Sequence, residues 1–358
     1  MAKCGASGRS LGKSLYLRHS QVFLDIDATA FDIRHLVRDQ ACGIYFAGGQ
    51  RFDKFLHTSL KIHHDMNITA HSEVGRIKTL YIKRAAAAFV DQETIDQQWQ
   101  ALNFEELPRL DQALVEYEKL ESILKKYSDE IYFLPENNSL TLDSIYCRDA
   151  SIATNEGMIL CRMGKRSRAG EPSAQQNAFE KNEIPVMGVI RAPGTLEGGD
   201  TAWLDRHTLA VGHSYRTNRE GISQLRSLLE TIGVDLVVAD LPHFRGPGDV
   251  FHLMSIFSPI TPDRALVYSP LMPISFRQKL QEMKYKLIEI PEKEFMTMGC
   301  NVLALDEKTC LVVSGNHAVR SLLESEGFEV IEYPGMEISV KGGGGPTCLT
   351  RPLNRYQS

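Results

Sequence analysis

The chain has 358 residues, of which 43% are hydrophobic and 24% charged, as is usual for a globular protein. A chain of this length buries a sizeable core, which excludes a mainly disordered chain and a small disulfide-stabilised peptide. The net charge of -5 offers no positive excess to attract phosphate backbones, so the sequence predicts no nucleic-acid partner.

Cysteine usage and hydropathy indicate a cytoplasmic protein without a membrane partner. The seven cysteines are scattered and form no CxxC pair, a pattern typical of a reducing compartment and not of a zinc ribbon. No apolar run reaches transmembrane length, and the first residues lack the apolar segment of a secretory signal.

Residues 1–72 are predicted to form an N-terminal extension or a small accessory domain. Within them, VFLDI and GIYFAGG predict strands and FDIRHLVRDQ predicts a short helix. Four histidines between residues 57 and 71 lie at positions that match no standard metal motif, so we favour solvated loops over a metal site. These are His57, His63, His64 and His71.

The rest of the chain, 73–358, contains a weak repeat. Five β-rich runs each end at a proline, with spacings of 58, 49, 49 and 43 residues. The prolines are Pro135, Pro193, Pro242, Pro291 and Pro334. A helical pattern precedes most of these runs, and another strand precedes the helix. A strand–helix–strand unit of this length predicts an α/β fold of modules around an axis, with a doubly wound sheet as the alternative.

Three segments contain residue types suited to nucleophilic catalysis. Cys348 follows four glycines at 342–345, Glu197 precedes Gly-Gly-Asp200, and His252 lies in the segment DVFHLM. A thiol nucleophile needs a nearby imidazole, and the imidazole needs a carboxylate to orient it. The alternatives are a flexible glycine tail or buried cysteine, a solvated acidic turn, and a structural histidine.

Two further segments mix acids with arginines. The first contains Asp143, Asp149 and Arg168, and the second, GHSYRTN, contains Arg216. An arginine binds a carboxylate through two parallel hydrogen bonds, which makes these residues candidates for substrate binding. A surface network of ion pairs is the alternative.

Taken together, these segments resemble the guanidino-group modifying superfamily, which includes arginine deiminases, dimethylarginine dimethylaminohydrolases and amidinotransferases. The resemblance covers about residues 74–356 and rests on five motifs in family order. They are RD at 148–149, EGGD at 197–200, GHSYRTN at 212–218, FHL at 251–253 and GGGGPTC at 342–348. The resemblance implies a catalytic five-bladed α/β propeller (pentein) with pseudo-fivefold symmetry over residues 73–358.

The resemblance also implies a role for each motif residue in arginine metabolism, with no cofactor and no metal. Cys348 would attack the guanidinium carbon, His252 would act as general acid and base, and Glu197 would orient His252. The substrate-binding residues would be Asp149 at the guanidinium, Asp143 at the α-amino group, and Arg168 and Arg216 at the α-carboxylate. Asp200 would support the site, and a homodimer is compatible with the family.

Three positions differ between the subfamilies. Met254 stands where arginine deiminases and amidinotransferases usually carry an aspartate, and Thr347 also resembles the dimethylargininases. Arg148, in contrast, is closer to the deiminases and amidinotransferases. We therefore favour a hydrolase of arginine or an N-substituted arginine that acts through a covalent cysteine adduct. The alternatives are an amidinotransferase with an amine acceptor and a non-catalytic propeller resembling a ribosome-binding initiation factor.

Overall fold

The computed structural model describes residues 15–16, 45–46, 69–249 and 251–356. By its internal contacts the chain divides into two units, residues 1–66 and 67–358. In the first unit, β1 (Leu15–Tyr16) pairs antiparallel with β2 (Tyr45–Phe46), which lies in the predicted strand GIYFAGG. The other elements predicted there, VFLDI and FDIRHLVRDQ, and His57, His63 and His64 lie outside the described residues.

Five three-stranded sheets, named I to V, make up the described part of the second unit. In every sheet the first strand runs antiparallel to the middle strand, and the third runs parallel to it. Helix connects the middle strand to the third, as a parallel crossover requires.

Sheet I takes its first strand from the end of the chain, and the other sheets are continuous in sequence. In order of first, middle and third strand, their bounds are as follows. Sheet I contains β17 (Thr350–Arg355), β3 (Ile77–Ile82) and β4 (Ser128–Phe133). Sheet II contains β5 (Ser151–Thr154), β6 (Gly157–Leu160) and β7 (Val186–Val189). Sheet III contains β8 (Thr201–Asp205), β9 (Thr208–His213) and β10 (Asp235–Asp240). Sheet IV contains β11 (Phe257–Thr261), β12 (Arg264–Val267) and β13 (Lys286–Glu289). Sheet V contains β14 (Leu303–Ala304), β15 (Thr309–Val313) and β16 (Glu329–Tyr333).

The crossovers contain seven α-helices. Sheet I has α1 (Ala85–Phe89), α2 (Gln92–Gln98) and α3 (Leu110–Tyr127). Sheets II to V have α4 (Glu171–Lys181), α5 (Arg219–Glu230), α6 (Ile274–Glu282) and α7 (His317–Ser325). None of the helices in the described ranges has the length and apolar character that a membrane crossing needs.

The predicted strand–helix–strand repeat is confirmed, and each β-rich run before a proline is a third strand. The alternative of a single doubly wound sheet is wrong, because the fifteen strands of this unit form five separate sheets. The predicted repeat was incomplete, however, because each strand–helix–strand unit is preceded by one more strand, the first strand of its sheet. These first strands are short and fully or largely buried, as in the two-residue β14, so they show no polar–apolar alternation.

Local sequence explains how each crossover helix is placed, as α5 illustrates. The side chain of Asn218 accepts a hydrogen bond from the backbone N–H of Gly221 (2.8 Å), which caps the helix. Ile222, Leu225 and Leu229 follow at helical spacing and are buried against sheets II and III. The chain continues from α5 into β10, which lies parallel to β9 in sheet III.

Consecutive sheets share hydrophobic clusters and contact each other through their first strands. Separate clusters join sheets I and II, II and III, and I and V, and a large one joins III, IV and V. Strand β17 contacts β5, β8 contacts β11, and β11 contacts β14. Trp203 Nε1 donates to the carbonyl oxygen of Ala153 (3.1 Å), which joins β8 to β5, and Arg355 Nη1 donates to that of Ala304 (2.8 Å).

We predict that Gly221→Ala lowers the free energy of unfolding by about 1–3 kcal/mol, because overpacking forces the backbone to shift. A Cβ at Gly221 would lie 2.0 Å from the carbonyl oxygen of Thr195. The control is Gly248→Ala, since no atom lies within 4 Å of the Cβ position there. Urea unfolding measures both variants, and equal stability of the two would contradict this account of the packing.

Candidate active site

Each of the five sheets contributes one polar residue just before its first strand. Asp149 lies in the turn before β5, Glu197 before the turn that leads into β8, and His252 before the turn that leads into β11. Asn301 and Cys348 lie in the same place before β14 and β17. Four of these residues are predicted site residues, and the fifth, Asn301, was missed.

The imidazole of His252 is buried and paired with Glu197. His252 Nε2 lies 2.8 Å from Glu197 Oε2, and the side chain of Glu197 is completely buried. The other carboxylate oxygen of Glu197 accepts hydrogen bonds from the backbone N–H groups of Gly164 and Lys165, both 3.0 Å. Burial raises the pKa of Glu197, but the hydrogen bond from His252 and the positive charges of His252, Arg216 and Arg168 outweigh it and hold this pKa below its ordinary value.

The other ring nitrogen of His252 faces a second carboxylate. His252 Nδ1 lies 3.9 Å from Asp149 Oδ1, which is buried and accepts no hydrogen bond. Burial lowers the pKa of His252, but the charges of Asp149, Asp200 and Glu197 outweigh it and raise the pKa to about 9. The histidine is therefore an imidazolium at neutral pH.

The two glycines after Glu197 allow this arrangement. A Cβ at Gly199 would lie 2.5 Å from both Asp149 Oδ1 and His252 Nδ1, so a side chain there would fill the gap between them. Asp200 closes the turn and is completely buried. It accepts from Ser214 Oγ (2.6 Å) and from the backbone N–H of Leu253 (3.1 Å), which holds the turn against the residue after His252.

The thiol of Cys348 lies beside two polar side chains. Asn301 Nδ2 is 3.5 Å from the sulfur and Thr347 Oγ1 is 3.9 Å from it. Asn301 Oδ1 in turn accepts from the backbone N–H (3.1 Å) and hydroxyl (2.9 Å) of Thr347, which fixes the turn that presents the thiol. Burial raises the pKa of Cys348 to about 11, and the charge of Asp149 adds to this, so the resting thiol is neutral.

Cys348 and His252 line one cavity. Much of its wall is apolar, from Met254, Phe251 and Phe295, and Asp249 and Asn301 add polar groups. The other five predicted site residues, Asp143, Asp149, Arg168, Glu197 and Arg216, are buried in neighbouring turns and do not line it. The cavity therefore combines a thiol and an acid–base group with a wall suited to apolar substituents.

The predicted carboxylate-binding arginines occupy different environments. Arg168 is paired through two hydrogen bonds of 2.8 Å with Glu171, and it also donates to Asp149 Oδ2 (2.5 Å) and to the carbonyl oxygen of Tyr146 (2.9 Å). Arg216 makes longer contacts, 3.5 Å to Glu197 and 3.4 Å to the carbonyl oxygen of Asp249. The role at a substrate carboxylate remains a prediction for both.

Asp143, predicted at the α-amino group, is buried in an ion pair. Its Oδ2 lies 2.7 Å from Lys165 Nζ, which also donates to the carbonyl oxygen of Leu102 (2.6 Å). Sequence reasoning assigned no role to Lys165, Glu171 or Asn301. For Asn301 a signal existed, because it follows His252 by 49 residues and precedes Cys348 by 47, close to the repeat length.

The residues around His252 include a group that could hold a metal ion. Ligand atoms of Asp149, Glu197 and His252 lie within 4.8 Å of one another, and across residues 69–249 and 251–356 this is the one such group. Each carboxylate of the cluster already has a cationic partner in the protein, since Arg168 pairs with Asp149 and His252 pairs with Glu197.

We predict that Glu197→Gln lowers the pKa of His252 by about one unit or more, because it removes the nearer opposite charge. Titration of the His252 ring nitrogens by NMR measures the shift, and Asp205→Asn, at an exposed position on β8, is the control. An unchanged pKa in Glu197→Gln would contradict the assigned pairing.

The same ion pair predicts how stability depends on pH. The pKa of His252 is raised from 6.5 to about 9, so its contribution is complete below pH 6.5 and is lost as the pH rises through 9. The pKa of Glu197 is lowered from 4.5, so its contribution is present above pH 4.5 and is lost as the pH falls through the folded-state pKa. The difference in free energy of unfolding between wild type and Glu197→Gln should therefore be largest between pH 4.5 and pH 6.5.

Comparison with known proteins identifies the family. The family model for eukaryotic N,N dimethylarginine dimethylhydrolase matches residues 84–355. The protein YkgA of Bacillus subtilis (strain 168) is 30% identical over 240 residues, which is 67% of this chain and 79% of that protein. The dimethylarginine dimethylaminohydrolase of Pseudomonas aeruginosa is 28% identical over 58% of this chain and 76% of its own length.

Solved structures show the same fold at lower identity. A dimethylarginine dimethylaminohydrolase mutant from Pseudomonas aeruginosa in complex with citrulline has a TM-score of 0.64 at 22% identity, covering 78% of this chain and all of that one. An amidinotransferase of saxitoxin biosynthesis from Microseira wollei has a TM-score of 0.63 at 14% identity, covering 82% and 98%. Their fold is the propeller-like α/β fold of the pentein superfamily. With its family match over residues 84–355, the chain belongs to the N,N dimethylarginine dimethylhydrolase family of guanidino-group modifying enzymes.

Proposed function

We propose that this protein hydrolyses the guanidino group of arginine or an N-substituted arginine through a covalent adduct on Cys348. The observation that carries the proposal is the buried imidazole of His252, 2.8 Å from Glu197, in the wall of the cavity that contains the Cys348 thiol. A positioned proton donor beside a nucleophile is what cleavage of a carbon–nitrogen bond requires.

Substrate binding supplies the charge that ionises the nucleophile. The thiol of Cys348, with a pKa of about 11, is neutral in the resting protein, whereas His252 is already protonated. A guanidinium cation placed against the sulfur lowers the thiol pKa, and the thiol proton leaves to solvent. The hydrogen bond from Asn301 Nδ2 then stabilises the thiolate.

The reaction proceeds in two halves that share one acid–base group. The thiolate attacks the central carbon of the guanidinium, and a tetrahedral species forms. His252 Nδ1, the nitrogen opposite Glu197, donates its proton to the departing amine as the carbon–nitrogen bond breaks. An amidino-thioether cation remains on Cys348, and neutral His252 then takes a proton from water as the water attacks. Collapse of the second tetrahedral species breaks the carbon–sulfur bond and releases the ureido product, and its hydroxyl proton passes to the sulfur and restores the neutral Cys348 thiol.

The carboxylates hold the substrate and the acid in place. We assign Asp149, with its unpartnered buried oxygen, to the guanidinium nitrogens, and Glu197 to His252. Arg168 is held by Glu171 on one side and contacts Asp149 on the other, so we assign it to orienting Asp149 as well as to the substrate carboxylate. Arg216 and Asp143 complete the proposed contacts to the amino-acid part of the substrate.

We further propose that the five sheets surround one axis as the blades of a propeller formed by residues 73–358, with 1–72 as an accessory segment. The chain of contacts between first strands supports this, since it runs from β17 through β5, β8, β11 and β14 and returns to β17. The five polar residues that precede these strands occupy equivalent positions, which supports a fivefold arrangement around the site.

The proposed reaction predicts that arginine or a methylated arginine gives a ureido product without any amine acceptor. Arginine, methylated arginines, agmatine and guanidinoacetate form the test panel, and mass spectrometry identifies the products. Cys348→Ser should reduce turnover at least about 10³-fold, because the nucleophile is lost. Cys310→Ala, at a buried thiol on β15, is the matched control and should retain turnover.

Two results of this panel would contradict the proposal. Formation of a product only when ornithine, glycine or another amine is added would identify an amidinotransferase. No turnover of any guanidine, with Cys348 unmodified, would indicate a non-catalytic binding protein that has the fold of an enzyme.

We predict that Met254→Asp raises the preference for arginine over dimethylarginine by about tenfold or more. This is the effect expected from one additional hydrogen bond to a charged group. The carboxylate would accept from an unsubstituted guanidinium nitrogen, whereas a nitrogen with two methyl groups has no N–H to donate. The ratio of kcat/KM values for the two substrates measures the change. Met254→Leu is the control, and an unchanged ratio in folded Met254→Asp would show that this position does not select the substituent.

A further inference from the structure

A cluster of three buried arginines lies outside the proposed active site. Arg148 is completely buried, and Arg351 and Arg355 on β17 are 4% and 3% exposed. Each reaches the first strand of another sheet: Arg148 donates to the carbonyl oxygen of Thr201, Arg351 to that of Ser151, and Arg355 to that of Ala304. The cluster is therefore enclosed by first strands of four sheets.

One carboxylate faces these three guanidinium groups. Glu73 Oε1 lies 2.6 Å from Arg148 Nη2 and is the one direct ion-pair partner of the cluster in the described part of the chain. The charges of all three arginines lower the pKa of Glu73 although burial opposes this. Burial and the charge of Arg148 lower the pKa of Arg351 and of Arg355 to about 10, so both stay cationic at neutral pH. Two positive charges remain without a direct counter-charge.

The hydrogen-bonding groups of the cluster are also incomplete. Five buried nitrogens have no partner in the protein: Nε and Nη1 of Arg148, Nε of Arg351, and Nε and Nη2 of Arg355. The equally buried Arg168 provides a comparison, because its Nε, Nη1 and Nη2 all donate to carboxylate or carbonyl oxygens. Buried guanidinium nitrogens without partners are costly, so an occupant that accepts several N–H groups is expected.

Glu73 and Arg355 also form part of the wall of a cavity of about 380 Å³. Arg206 lines the same cavity together with Asp205 and with His71, whose pKa is lowered by burial, so the cavity gives an ion a polar route to the cluster with no net charge of its own. Glu73 disfavours a multiply charged anion at the cluster, whereas a single negative charge would reduce the excess from two to one.

We propose that Arg148, Arg351 and Arg355 bind a small monovalent anion of the halide class, enclosed between the first strands and Glu73. The anion accepts hydrogen bonds from the unpartnered guanidinium nitrogens and compensates part of their charge. None of the three arginines lines the cavity that contains Cys348, and the anion takes no part in the proposed reaction.

The direct test is a crystal structure of the full chain grown in bromide, with data collected at the bromine absorption edge. The expected result is an anomalous peak within hydrogen-bonding distance of at least two of the three guanidinium groups. Ordered water alone at these nitrogens, or no density, would overturn the proposal.

A solution experiment tests the same site without crystals. Replacing gluconate by chloride at constant ionic strength should raise the thermal midpoint of the wild type by about 2 °C or more. Arg355→Gln should lose this dependence, and Arg226→Gln, at an exposed arginine on α5, should keep it. If Arg355→Gln does not fold, Arg355→Lys replaces it. An equal response of the Arg355 variant and the wild type would also overturn the proposal.

Discussion

The site depends on keeping one imidazolium charged in a place from which water is largely excluded. Burial alone would make His252 neutral, and three carboxylates, Asp149, Glu197 and Asp200, reverse that effect. These carboxylates need their own support, which backbone N–H groups give to Glu197 and Arg168 gives to Asp149. These buried charges must be satisfied within the protein, and this explains why glycines, an asparagine and two arginines surround the site.

The fold meets this need by repetition. In each sheet, the segment that leads into the first strand carries one polar residue just before that strand. This residue is an aspartate, a glutamate, a histidine, an asparagine or a cysteine. One structural position is thus used five times with different chemistry. The first strands are buried and in contact, so the five side chains are held by rigid elements and not by long loops.

The sequence predicts the strand–helix–strand repeat and singles out four of the five polar residues that precede first strands, and it fails at identifiable places. Third strands were recognisable because prolines end them, and helices because of their apolar spacing. First strands such as β14 are too short and too buried to show alternation, so the position of Asn301 before one of them was missed. The pairing of Arg168 with Glu171 and of Asp143 with Lys165 depends on which loops meet in three dimensions, and no local pattern records that. The charge balance of the Arg148 cluster was invisible for the same reason, since Glu73 and Arg351 are far apart in sequence.

The most direct measurement is the intact mass of the protein quenched with acid during turnover of a guanidino substrate, followed by mapping of the modified peptide. The account predicts that a fraction of the chains carries one amidino group, that it maps to Cys348, and that it disappears when the substrate is exhausted. Turnover with Cys348 unmodified, or an adduct on another residue, would contradict the proposed mechanism.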